Sequence, residues 1–196
     1  MSQFWFLGSG WVFYSLSLHM VIVHVVPYAV DTGISPMDAA FIISLIGLAS
    51  IPGRIITGRL SDTMGRKALA IACPLIQLGT ILWLMWAREL WMLYAFAAAF
   101  GFLWGGSGVM VTALIGDIFG MRSLGAIMGM LSGAWALGAA IGPAIGGYIF
   151  DLSGHYFMAF GAGAAALFMT AGLIAPIRRV PNSKVPLPGQ VGRLRS

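Results

Sequence analysis

Six long stretches of this chain contain no Asp, Glu, Lys or Arg, and that pattern restricts its fold more than any other feature. They run over residues 4–30, 39–53, 68–87, 90–116, 123–150 and 152–177. A helix needs about 20 residues to cross a bilayer. All but the second stretch reach that length unaided; the second does so only with Arg54 inside the helix. The expected spans are therefore 4–30, 39–58, 68–87, 90–115, 123–150 and 155–177. Soluble helices of this length carry a polar face, and these carry none. Only 9% of the residues are charged and 59% are hydrophobic, against about 25% charged in a soluble domain. A lipid-facing surface resolves the shortage, because apolar side chains then point outward as well as inward. The expected fold class is all-α, a polytopic six-helix membrane bundle.

Charge placement supplies an orientation and removes some functions. Arg59, Arg66, Lys67, Arg122, Arg178, Arg179, Lys184, Arg193 and Arg195 fall on one side of the expected membrane and Arg88 on the other. Lys and Arg near span ends favour the cytoplasm, so both termini are expected there, in an inner or plasma membrane. The basic, proline-containing segment 178–196 is expected to be a cytoplasmic tail. Basic residues in short gaps, with the aromatic residues kept inside the apolar stretches, argue against nucleic acid as a partner. Cys73 stands alone, and no pairing follows from it.

The chain also repeats itself. Gly58, Asp62 and Gly65 follow the second span in the pattern G-x-x-x-D-x-x-G, and Gly147, Asp151 and Gly154 follow the fifth in the same pattern, 89 residues later. The same shift lays spans one to three on spans four to six. An odd number of spans separates the copies, so the two triplets are inverted relative to one another. Glycines recur at four-residue intervals at Gly125, Gly129 and Gly133, then at Gly138, Gly142 and Gly146, the interval that lets two membrane helices approach closely.

The segment Gly58-Arg59-Leu60-Ser61-Asp62-Thr63-Met64-Gly65-Arg66-Lys67 resembles the conserved loop motif of the major facilitator superfamily. That resemblance implies half of a twelve-span fold. The glycines would allow a tight turn, Asp62 would sit near a helix N-terminus of a partner half, and Arg66 and Lys67 would stay at the cytoplasmic surface. Segments 24–35, 116–125 and 138–148 resemble the monocarboxylate and oxalate/formate transporters, which implies spans seven to twelve and a small organic anion as substrate.

Arg54 is the one charge inside a span. Its guanidinium suits a carboxylate through two parallel hydrogen bonds, and in the resembling transporters an arginine at this place binds the anion. Snorkelling to the cytoplasmic end, one turn away on the expected boundaries, is the competing reading. Where oxalate/formate exchangers carry a lysine this chain has Trp135, and where proton-coupled carriers carry an aspartate it has Ser50. The resemblance therefore points to a singly charged anion and away from proton coupling through that acid. His19, Tyr14, Trp104 and Trp135 complete the candidate site, with Ser15 and Gln77 as further polar neighbours. His19 is equally readable as a packing residue. His19 and His24 lie on different sides of their helix, so no metal pair is expected and no cofactor is implied. The sequence contains no H-E-x-x-H, no Walker loop and no G-x-S-x-G set against a base, so enzymatic readings lack their parts.

The expectation is a transporter half working by alternating access. Its N-terminal six-span partner would be lost to truncation, encoded separately, or replaced by a second copy. A non-transporting membrane scaffold or sensor, or a non-functional fragment of a transporter, is the alternative.

Overall fold

A computed structural model describes residues 2–120 and 124–177. Arg122 and the tail 178–196, which carry much of the charge asymmetry, lie outside the described residues. The described residues form six helices: α1 (Ser2–Asp31), α2 (Pro36–Met64), α3 (Arg66–Leu84), α4 (Leu90–Phe119), α5 (Leu124–Ser153) and α6 (Tyr156–Ile174). All six are long and apolar enough to cross a membrane, and the chain is a multi-pass membrane protein.

Helix ends follow local chemistry more closely than the charge-free stretches do. The second helix starts at Pro36 instead of residue 39. Ser35 accepts a hydrogen bond from the Asp38 amide at 3.2 Å and donates one to the Asp38 carboxylate at 2.7 Å. A serine N-cap followed by proline is a strong start signal. At its other end α2 continues through Gly58 to Met64, so most of the loop motif is helical. The turn falls on Gly65 alone, at φ 90°, a conformation that favours glycine.

The inverted repeat is visible in the packing. Gly154, the counterpart of Gly65, also has positive φ, at 72°. The longest helix contacts join α2 with α4 and α1 with α5, which are the same pairing with the repeats exchanged. Contacts of α4 with α3 and of α1 with α6 follow the same rule, and α3 and α6 pack on each other. The fold is two inverted three-helix repeats, the arrangement that the resemblance of the loop motif implies.

Glycine makes the two principal contacts possible. A Cβ at Gly53 would overlap the Phe102 carbonyl, one at Gly101 the Ile46 carbonyl, and one at Gly105 the Ser50 carbonyl. Across the repeat, Cβ atoms at Gly138 and Gly142 would overlap the Val12 and Leu16 carbonyls, and one at Gly146 would strike His24. The series Gly125, Gly129 and Gly133 behaves differently from its expected packing role. All three are exposed, and Cβ atoms there would meet nothing within 4 Å. The reason is direction: this part of α5 turns that face away from the bundle. Correspondingly, α5 and α2 are the least buried of the six in their apolar 18-residue cores, at 22% and 28% against 56% for α4.

These contacts set a stability expectation for the isolated chain in detergent. Gly105→Ala forces α2 and α4 apart and should cost about 1–3 kcal/mol. Gly133→Ala should be neutral, or stabilising by up to about 1 kcal/mol through helix propensity. Thermal unfolding of the two variants checks the contrast.

Candidate functional site

The α2–α4 contact determines where Arg54 points. Gly53 is buried against the backbone of α4, so the next residue turns away from that seam. Arg54 is exposed there and lines a cavity of about 520 Å³ with Trp104, Gly105, Gly108 and Thr112. Because α2 runs to Met64, Arg54 lies ten residues from the helix end, about 15 Å at 1.5 Å per residue. The segment beyond Arg54 carries Arg59 and Asp62, so the helix outlasts its apolar stretch, and Arg54 lies five residues, about 7.5 Å, from Arg59. Among the described residues the ion pair present is Arg66–Asp117, and no carboxylate pairs with Arg54.

A second cavity of about 230 Å³ adjoins the first, with Trp104 and Gly108 lining both. Its other walls are Trp11, Tyr14, Met128, Ser132 and Trp135. The rings pack on one another. Trp11 stacks on Tyr14 with centroids 5.4 Å apart, and Trp11 meets Trp135 at 4.9 Å. The Tyr14 hydroxyl donates to Gln77 Oε1 at 2.9 Å inside the bundle, so the ring is held while its polar atom faces away from the cavity. Gln77 Nε2 and Ser17 Oγ are buried without hydrogen-bond partners among the described residues.

Of the residues singled out from sequence, Arg54 and Trp104 meet at the first cavity, and Tyr14, Trp104 and Trp135 at the second. His19 stands behind this wall. Its ring sits edge-on to Trp135 at 5.4 Å, with Nδ1 at 2.9 Å from the Ser15 carbonyl. Ser15 in turn donates to the Trp135 carbonyl at 2.7 Å, so both residues brace Trp135, and neither is among the residues lining these two cavities. Ser50 is buried, with its hydroxyl donating to the Gly47 carbonyl at 2.7 Å and its own carbonyl against Gly105. It belongs to the helix seam and does not reach the cavity. Sequence reasoning missed Trp11 and Gly108. Trp11 lies three residues before Tyr14 and Gly108 four after Trp104, spacings that share a helix face.

The loop motif forms a separate cluster. Arg66 donates to the Asp117 carboxylate at 2.5 Å and reaches the Ala113 carbonyl at 3.5 Å. The α2–α3 turn is thereby tied to the end of α4, close to the first cavity. A cation near a helix C-terminus is favourably placed with respect to the helix dipole. Asp62 is exposed and Lys67 half-buried. The partner expected for Asp62 would lie outside this chain. No group of three His, Cys, Asp or Glu side chains among the described residues is placed to hold a metal.

Comparison with known proteins adds independent information. The profile of the Major Facilitator Superfamily matches residues 5–194. Monocarboxylate transporter 12 of Mus musculus is 28% identical over 195 residues, covering 96% of this chain and 40% of that protein. The Homo sapiens protein of the same name is 30% identical over 82% of this chain and 32% of its own length. A riboflavin transporter of Saccharomyces cerevisiae is 30% identical over 76% of this chain and 29% of its own length. The chain thus spans well under half the length of these relatives.

The Arg66–Asp117 pair yields a measurable coupling. Both side chains are about one-third exposed, so a double-mutant cycle with Arg66→Ala and Asp117→Ala should give about 0.5–1 kcal/mol. The coupling should shrink as salt is raised, and unfolding at two ionic strengths checks it.

Proposed function

Since the chain belongs to the major facilitator superfamily, we propose that it forms one six-helix half of a secondary transporter that carries a small organic monoanion by alternating access. The observation that carries this reading is Arg54, a permanent cation within a membrane-spanning helix, facing a cavity and without an ion-pair partner among the described residues. A cation costs up to roughly 2.5–3.5 kcal/mol on insertion scales when it lies at the centre of a span, and less toward its end. A carboxylate offset by two parallel hydrogen bonds is the ligand that compensates most directly. With one guanidinium and no second cation lining the cavity, charge neutrality favours a single negative charge. The monocarboxylate transporters among the relatives support the same substrate class.

Exposed apolar surfaces support the half-transporter reading. Leu48, Ile51 and Ile55 on α2 and Leu137, Ile141 and Ile145 on α5 are exposed apolar residues. Beside them lie Gly125, Gly129 and Gly133, with open space where a Cβ would be. A second six-helix unit fits these faces and would close the cavity from its open side. An N-terminal half is the preferred occupant; a second copy related by an axis along the membrane normal is the other. Arg59, Arg66 and Lys67 at one end of the bundle, against Arg88 at the other, support cytoplasmic termini in an inner or plasma membrane.

Reconstitution tests this reading. The chain combined with the first six spans of a monocarboxylate transporter should give saturable uptake of labelled lactate. Arg54→Gln should weaken apparent affinity roughly 100-fold, the loss of about 2–3 kcal/mol expected for a charged hydrogen-bonded pair, and Arg54→Lys should recover part of it. Uptake indifferent to Arg54→Gln would overturn the anchor. Saturable uptake by the chain without a first half would overturn the need for an N-terminal partner.

A further inference from the structure

Resting on the reading of Arg54 as an anion anchor, we propose that the site selects carboxylates carrying an aromatic ring over short aliphatic ones. The ring would occupy the recess walled by Trp104, Trp11, Tyr14 and Trp135.

Two features connect that recess to the cation. Trp104 and Gly108 line both cavities, so the Arg54 cavity and the aromatic recess meet along one turn of α4. At Gly108 a Cβ would find nothing within 4 Å. The lack of a side chain there leaves a passage from the guanidinium side to the indole side. A short anion held by Arg54 occupies the first cavity only. A flat ring joined to the same carboxylate extends past Gly108 and meets apolar surface that water would otherwise cover.

The polar chemistry of the walls favours a ring over a hydroxylated chain. The Tyr14 proton is committed to Gln77 at 2.9 Å, the Ser132 proton to the Met128 carbonyl at 2.8 Å, and the Thr112 proton to the Gly108 carbonyl at 3.0 Å. With those hydroxyl donors engaged, Arg54 is the charged donor left for the ligand's carboxylate, and the recess otherwise offers mainly indole and phenol rings, whose polar atoms there are the indole N–H groups. The rings are braced from behind. Ser15 holds the Trp135 backbone, His19 stands edge-on to its indole, and Trp11 stacks on Tyr14. Rigid aromatic walls lose little freedom when a ligand ring stacks on them, and aromatic pairs gain more than the area they bury accounts for.

Equilibrium binding to the purified full chain in lipid nanodiscs tests the proposal, with phenylacetate, acetate and phenylacetamide as probes and calorimetry as the readout. Phenylacetate should bind roughly tenfold or more tighter than acetate, and phenylacetamide, which keeps the ring but not the charge, should bind weakly. Gly108→Leu, introduced where space is open, should bring the ratio of phenylacetate to acetate affinity close to one; Trp104→Leu should reduce that ratio. Arg54→Gln should remove the binding of both anions. Equal, Arg54-dependent affinity for phenylacetate and acetate would overturn aromatic selection and leave the anchor standing. A preference for phenylacetate that persists in Gly108→Leu would overturn the assigned recess. Binding of neither anion, or binding unaffected by Arg54→Gln, would overturn the anchor and this proposal with it.

Discussion

Backbone-to-backbone approach of two helix pairs, α2 on α4 and α1 on α5, is the constraint on which the rest of this structure depends. Apolar side chains gain little by leaving lipid for a protein interior, so membrane helices need close van der Waals contact to associate. Here the contact is so close that single methyl groups at Gly53, Gly101, Gly105, Gly138 or Gly142 would overlap carbonyls of the facing helix. The same seam governs the site. It buries Gly53, aims Arg54 at the cavity, and lays Trp104 and Gly108 along the cavity's other side.

The two seams are equivalent under the inverted repeat, yet the residues beside them differ. Next to the α2–α4 seam lies a cation. Next to the α1–α5 seam lie Trp135 and the rings of Tyr14 and Trp11. An approximately symmetric scaffold thus presents charge on one side and aromatic surface on the other. A ligand with a carboxylate at one end and a ring at the other matches that asymmetry. The open faces of α2 and α5 flank the same region, so whatever covers them would also complete the cavity.

Much of the fold was legible in the sequence because the absence of charge over some twenty residues has one economical physical explanation, and because the 89-residue shift relates whole helices. Helix ends were less legible. Composition alone does not reveal that Ser35 and Asp38 cap α2 or that its helix absorbs Gly58 through Met64, and the position of Arg54 relative to the helix end changed accordingly. The glycine pattern identified one half of the packing. Gly138, Gly142 and Gly146 meet α1, whereas Gly125, Gly129 and Gly133 share their spacing and face open space, since periodicity gives a face but not its neighbour. Of the site, Arg54, Tyr14, Trp104 and Trp135 were recognisable from residue type and place. Ser50 was not separable from them, because whether a hydroxyl faces a cavity or its own helix depends on packing. Trp11 and Gly108 needed the three-dimensional arrangement.

Every functional statement presupposes that the two repeats enter the membrane from opposite sides. Single cysteines at Thr63 and Leu152, both exposed, in a chain whose buried Cys73 has been replaced by serine, read this directly with a membrane-impermeant thiol reagent on sealed vesicles of known orientation. The account predicts that the Thr63→Cys variant reacts only from the cytoplasmic face and the Leu152→Cys variant only from the opposite one. Reaction of both from the same face would contradict the inverted arrangement, and with it the cavity and the role given to Arg54.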